Sequence, residues 1–174
     1  TTEVYGETFA RYNTEEFLKF LQPLEVRLAA NGISQAVFRG QRCLDGGCGG
    51  GRATVLMARA GATHVTAFDL AAKNIETTAR MVERMGLKNV ETHQGSLLEL
   101  PFADASFDVV WSNGVIHHTV DPDRALVELA RVLKPGGHLW LYVYGSGGLY
   151  WYMIDFVRAR LAGIPMRDAM IYLT

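Results

Sequence analysis

The chain has 174 residues, 49% hydrophobic and 20% charged, which are the proportions of a single globular domain long enough to bury a core. Seventeen Lys and Arg against eighteen Asp and Glu leave a formal charge of −1 with no basic run, so electrostatic capture of nucleic acid or of a membrane surface is excluded. Two cysteines, Cys43 and Cys48, are too few for a disulfide framework or a zinc site, and no apolar run reaches transmembrane length. A cytoplasmic protein without a bound metal is expected, with both thiols packed near a tight turn.

In chain order, Tyr5 and Tyr12 fall in a polar arm without periodicity, and a start at Thr1-Thr2 without methionine reads as an excerpt or a processed chain. Thr14 is placed to cap a helix whose apolar face is Phe17, Leu21, Leu24 and Leu28; Pro23 should kink or divide it, and Asn31-Gly32 should end it. Arg42-Cys43-Leu44 forms a first strand that runs into Asp45-Gly46-Gly47-Cys48-Gly49-Gly50-Gly51. A helix from Arg52 to Ala60 stops at Gly61-Ala62. His64 to Phe68 is a second strand, ending at Asp69, and Ile75, Ala79, Val82 and Met85 mark the apolar face of a helix closed by Gly86.

Val90 to His93 reads as a weak third strand and Phe107 to Trp111 as a stronger fourth. Asp121-Pro122 sets an acid at the N-cap and a proline at the first helical position, and Ala125, Leu126, Leu129, Val132 and Leu133 line the helix that follows. Lys134-Pro135-Gly136-Gly137 stops it. Leu139 to Tyr144 is a fifth, wholly apolar strand and is expected inside the sheet. After the linker-like Gly145-Ser146-Gly147-Gly148 comes an aromatic helix, Leu149 to Ala162, carrying Tyr150, Trp151, Tyr152, Met153 and Phe156. It should cover a sheet, or alternatively wall an apolar acceptor.

Strands alternating with helices imply an α/β fold, a Rossmann-like, doubly wound parallel sheet with helices on both faces. Right-handed crossovers then bring Asp45, Asp69, Ser96 and Asn113, all just past strand ends, to one crevice. The expected organisation is one domain overall, with a helical arm or lid over residues 1–40, an α/β cofactor core over 41–145, and an aromatic helix and tail over 146–174.

Glycines 47, 49 and 51 alternate behind an acid, whereas the dinucleotide fingerprint needs a small residue where Arg52 or Thr54 stands. Close backbone approach beside Asp45 suits a methionine-like zwitterion, whose amino group the acid would receive. Asp69, 18 residues after Gly51, is an acceptor suited to both ribose hydroxyls, or alternatively to capping the next helix. No basic residue precedes Lys73 to hold a 2′-phosphate. S-adenosylmethionine is therefore favoured over a nicotinamide dinucleotide.

At this point the chain resembles the class I S-adenosylmethionine-dependent methyltransferases, within the group like the ubiquinone/menaquinone C-methyltransferases, from about Cys43 to Tyr144. Beside the glycine turn, the resemblance is carried by Leu100-Pro101-Phe102-Ala103-Asp104-Ala105-Ser106-Phe107-Asp108, Asn113-Gly114-Val115-Ile116-His117-His118 and Arg131-Val132-Leu133-Lys134-Pro135-Gly136-Gly137. It implies that Gly46, Gly47, Gly49 and Gly51 back the methionine portion and that Asp69, with Leu70 beside it, holds the ribose. It also implies that Ser96 and Leu97 meet the adenine; family members commonly carry an acid at the Ser96 position. Asn113 is placed to touch the methionine amino group, and Tyr12 to close over the cofactor as a lid or, alternatively, to pack at a helix end. The family fold usually adds two further strands for which no pattern follows, so a missing segment or a second copy forming a homodimer is expected to shield the sheet edge.

Methyl transfer asks for alignment, exclusion of water and, for a weakly acidic nucleophile, a base. His117 and His118, after the fourth strand, are the candidate catalytic bases. The function expected is transfer of a methyl group to a small-molecule oxygen, nitrogen or carbon. Two alternatives are a methyltransferase-like cofactor-binding or partner protein without turnover, and an NAD-dependent oxidoreductase.

Overall fold

Cys43, Leu44, Val65 and Val110 are wholly shielded from solvent, as strands covered on both faces require. In the computed structural model the chain divides into two compact units, Thr1–Val143 and Tyr144–Thr174, and the residues described, 11–143, all belong to the first. Tyr5, the glycine-rich linker and the aromatic helix lie outside the described residues. Five strands, β1 (Arg42–Gly46), β2 (His64–Asp69), β3 (Val90–Gln94), β4 (Phe107–Asn113) and β5 (Leu133–Tyr142), form one parallel sheet in the order β3-β2-β1-β4-β5. The order reverses beside β1, so the crevice lies at its C-terminal end, where open α/β sheets bind ligands.

The predicted first helix is two helices, α1 (Thr14–Lys19) and α2 (Gln22–Ala30). Pro23 sits in the first turn of α2, where its missing N–H breaks no helical hydrogen bond. Asn13, rather than Thr14, caps α1. Its side chain accepts from Glu16 N at 3.0 Å while Glu16 Oε2 accepts from Asn13 N at 2.9 Å, which satisfies two otherwise orphaned donors.

Leu24 and Leu28 of α2 and Leu56 and Met57 of α3 (Arg52–Arg59) pack with Phe38 and Trp111 against one face of the sheet. On the other face, Ala125, Leu129 and Val132 of α5 (Pro122–Val132) pack against Leu44, Phe68, Phe107 and Val110. Residues 14–40 therefore contribute directly to the core. Between β2 and β3 runs α4 (Ala72–Arg84), whose Met81 meets Phe17, Leu21 and Val55.

Two expectations change. The inward face of α4 is Asn74, Thr77, Thr78, Met81 and Val82, while Ile75 and Ala79 are only half-buried; Thr78 faces the glycine turn and Asn74 faces Asp69. Among the described residues β5 is the outer strand, not an interior one, and it begins at Leu133. Its pairing shifts from Phe107–Leu133 to Val109–His138, so Lys134-Pro135-Gly136-Gly137 is taken up as an irregularity instead of ending the helix from outside the sheet.

Leu129 is wholly buried and Val127, on the same helix, is 56% exposed. Urea unfolding should show Leu129→Ala destabilised by about 2–5 kcal/mol and Val127→Ala changed by no more than about 0.5 kcal/mol.

Candidate cofactor site

The last turn of β1 carries a carboxylate into the interior. Asp45 is 2% exposed, and its Oδ2 accepts a 2.6 Å hydrogen bond from the Thr54 hydroxyl at the start of α3. Burial pushes its pKa up to about 7; the Thr54 bonds oppose the shift and the nearby Asp69 adds to it. A buried acid with so little compensation is an acceptor for a cationic group.

Past Asp45 the chain folds back over β2: Gly47 N and Cys48 N both donate to Phe68 O, at 2.8 and 3.0 Å. Gly47 and Gly51 have φ of 87° and 82°, the left-handed region that glycine enters without a Cβ penalty. A Cβ at Gly47 would lie 2.5 Å from the Val115 methyls, and one at Gly51 would lie 2.9 Å from Thr78. Thr78 also donates its hydroxyl to Gly49 O at 3.1 Å. The turn is thus a backbone surface pinned from two sides.

Asp69, at the end of β2, receives Gly49 N on Oδ2 at 2.9 Å, and Ala71 N and Asn74 Nδ2 on Oδ1 at 2.9 and 3.0 Å. It thereby serves the start of α4 as well as the glycine turn. A carboxylate offers about four acceptor positions. Three are engaged by the chain, which leaves one for a ligand donor. Leu70 beside it is 60% exposed, free to cover a bound ring.

Beyond β3, Gly95 N donates to Asp69 O at 2.9 Å, which sets the Ser96 loop directly beside Asp69. The Ser96 hydroxyl accepts from Leu98 N at 3.2 Å, and the Leu97 side chain is 6% exposed in the core, so Leu97 has only its backbone to offer a base. Asn113, at the end of β4, accepts the Trp140 indole N–H at 3.2 Å, which orients its amide. His117 and His118 lie on a 3-10 turn, Ile116–His118, with ring centroids 4.0 Å apart. His117 is half-buried and His118 exposed. Burial, and then the neighbouring His118, lower the pKa of His117 from the ordinary histidine value.

Asp45, Gly46, Gly47, Gly49, Gly51, Asp69, Leu70, Ser96 and Asn113 therefore gather at one sheet edge. Tyr12 does not. Its ring packs on Phe20 at 4.7 Å and its carbonyl accepts from Arg84 at 2.9 Å. Arg84 ends α4, roughly 20 Å along a helix of this length from the crevice end. Helix-end packing holds Tyr12, and the lid assignment is corrected.

Sequence reasoning missed Thr54, Asn74, Thr78 and Val115. The signal for two of them was present, since Asn74 and Thr78 are four apart on one face of α4. Cys43 and Cys48 are buried and free, with pKa values pushed up to about 12 for Cys43 and well above the thiol range for Cys48, chiefly by burial. Both stay protonated and act as packing groups. Among the described residues no cluster of His, Cys, Asp or Glu has the arrangement of a metal site, and no helix is long and apolar enough to cross a membrane. Two shallow grooves lie elsewhere: about 310 Å³ beside Asp108 and Lys134, and about 450 Å³ between α2 and β5. Neither is lined by the glycine turn, and neither gathers the polar groups that converge on the crevice.

Residues 44–141, more than half of the chain, match the family model described as a methyltransferase domain. The malonyl-acyl-carrier-protein O-methyltransferase of Erwinia billingiae is 38% identical over 151 residues, covering 85% of this chain and 55% of that protein. Among solved structures, a putative sarcosine dimethylglycine methyltransferase from Galdieria sulphuraria aligns with a TM-score of 0.64 and 27% identity, over 83% of this chain and 54% of that one. The cyclase SpnF aligns with a TM-score of 0.58 and 32% identity, over 64% and 43%. The chain spans 36% to 55% of the length of the first curated relatives it matches.

The raised pKa of Asp45 gives a test independent of any ligand. A folded state that holds this proton more tightly than the unfolded chain is favoured fully below the ordinary carboxylate range, and loses that advantage as pH rises through about 7. Thermal melts of the unliganded protein should show wild type losing stability relative to Asp45→Asn between pH 5 and pH 8. Parallel curves would show that Asp45 ionises normally.

Proposed function

The chain belongs to the methyltransferase domain family, within the class I S-adenosylmethionine-dependent methyltransferases, and on that footing we propose that it transfers a methyl group from S-adenosylmethionine to an oxygen, nitrogen or carbon of a small molecule. The observation that carries this reading is the glycine turn held between two acids, with no space for a Cβ at Gly47 or Gly51. Such a cradle fits a ligand that presents a cationic amino group at one end and a ribose at the other. With the acid 18 residues after Gly51, yet no small residue at positions 52 or 54, it does not fit a pyrophosphate. That counts against the nicotinamide alternative.

When bound, the cofactor supplies a methyl group already activated by its sulfonium. The residues of the chain then have five tasks. Asp45 receives the ammonium, releasing the proton that its raised pKa retains. The backbone of Gly47 and Gly49 would back the methionine portion. Asp69 offers its remaining acceptor position to a ribose hydroxyl, and the Ser96–Leu97 backbone meets the base. His117 receives a proton from the acceptor: with its pKa lowered below the ordinary value of 6.5, the imidazole is neutral and basic at pH 7.

A second reading, a cofactor-pocket protein that acts without methyl transfer, is favoured by the likeness to SpnF, whose structure is described as that of a cyclase. The two readings share a cytoplasmic location and a small-molecule partner, with neither nucleic acid nor membrane as target. Turnover of a methyl group separates them.

Calorimetric titration should give micromolar binding of S-adenosylmethionine and S-adenosylhomocysteine and none of NADH. Binding of NADH alone would overturn the cofactor. Asp69→Ala should weaken S-adenosylhomocysteine by about 10- to 100-fold, the worth of one hydrogen bond to a charged group; unchanged affinity would remove the ribose assignment.

At saturating cofactor, His117→Ala should lower turnover about 100-fold or more. The wild-type rate should fall on acidification with a midpoint below 6.5, as His117 gains a proton. Full activity in both His117→Ala and His118→Ala would eliminate the histidine base.

A further inference from the structure

The crossover from β3 to β4, residues 95–106, is made without a helix. Its backbone groups consequently lack the regular partners that a helix would supply, and buried ones need others. One face of α5 provides them. Leu100 N donates to Glu128 Oε2 at 2.8 Å, and Leu98 O accepts from Arg124 Nε at 3.1 Å. Leu100 O and Phe102 O accept from Arg131 Nη2 and Nη1 at 2.9 and 2.8 Å.

Arg131 spends all five of its N–H donors at this place. Besides the two carbonyls, it gives Nε and Nη2 to the two oxygens of Glu128, at 3.0 and 2.8 Å, and Nη1 to Asp104 Oδ1 at 2.7 Å. Glu128 is 4% exposed, and the guanidinium holds its carboxyl down at about 2, so the pair stays ionised across the physiological range. Arg124, Glu128 and Arg131 are spaced four and three apart and so share one helix face. The apolar side chains of Leu97, Leu100 and Phe102 anchor the same loop in the core, but the carbonyls and amides are set by the charged residues.

The start of this loop lies against the ribose acid through the Gly95–Asp69 hydrogen bond. The glycine turn follows β1, Asp69 ends β2, and β3 is the next strand outward, so a base attached to a ribose at Asp69 reaches the Ser96 loop. On the S-adenosylmethionine reading above, on which this rests, we infer that Glu128 and Arg131 are positioning residues that set the adenine end of the cofactor site by holding the helix-free crossover in shape. They touch no part of the cofactor. Their effect is to aim the acceptor groups of the Ser96–Leu97 segment at the exocyclic amino group of the base.

The test compares two ligands by calorimetry: S-adenosylhomocysteine, and the same compound with purine in place of adenine, which lacks that amino group. In wild type the adenine compound should bind about tenfold more tightly. Arg131→Lys keeps the charge but not the fork, and should bring the two affinities to within about twofold, with the loss falling on the adenine compound. Glu128→Ala should do the same, while Glu128→Gln, which keeps an acceptor for Leu100 N, should restore most of the preference.

Arg124→Ala, at a half-exposed side chain with one backbone bond to the loop, should reduce the preference about threefold and serves if the Arg131 variant fails to fold. Equal weakening of both ligands, or an intact preference in a variant that melts at lower temperature, would show a purely structural clasp and overturn the inference. A wild-type protein that ignores both compounds would overturn the cofactor reading itself, and the positioning role with it.

Discussion

The carboxylate of Asp69 organises the site, because both the glycine turn after β1 and the start of α4 depend on it. Gly49 N comes from the turn after β1, and Ala71 N and Asn74 from the start of α4, so one side chain ties the first two strands to the helix between the second and third. Hydrogen bonds to a carboxylate are the stronger kind, roughly twice a neutral pair. A turn with several positive-φ glycines has high conformational entropy when unfolded, and such ties offset the cost of fixing it. The backbone is therefore shaped before any ligand arrives, and binding need not order it.

Asp45 is the converse case. It lies equally close to the turn but has Thr54 as its hydrogen-bond partner and almost no solvent, so the protein carries it at a disadvantage in its charged form. On the proposed reading, a ligand ammonium would supply the counter-charge. The free energy withheld by burying an under-compensated acid is returned when a cation binds, and so the affinity for a cationic ligand is coupled to proton release near neutral pH. Two acids nine-tenths buried at adjacent strand ends thus do different work: one shapes the backbone, the other waits for charge.

How much of this was legible in the sequence depended on whether a residue's role is local. The glycine turn could be read because only glycine enters the left-handed region freely, and the acids because strand ends are visible in hydrophobic runs. Asp121-Pro122 announced a helix start, and Asp121 does cap α5, accepting from Arg124 N at 2.9 Å. The face of α4 could not be read from apolar periodicity. Thr78 and Asn74 point inward because their partners, Gly49 and Asp69, are polar, and that is a tertiary fact. The sequence leaves Tyr12 between a lid and helix-end packing for a similar reason, since a polar arm says nothing about which end of the sheet it meets. Among the described residues β5 is outermost despite its apolar composition; Trp140 packs on Trp111 and Leu139 on the α5 side of the sheet.

Gly46 joins these elements into one unit. A Cβ there would stand 3.1 Å from Leu129 and 3.3 Å from Leu97, so the side chains of α5 and of the crossover loop converge directly beneath the floor of the cofactor turn. The same helix that fills the core through Leu129 holds the crossover through Glu128 and Arg131, and follows directly on the turn that carries His117 and His118. Close-packed interiors transmit small displacements instead of absorbing them. A shift of α5 would therefore be felt at the floor of the glycine turn, at the Ser96 loop and at the histidines together. The sheet edge behaves as a single site because one helix braces it.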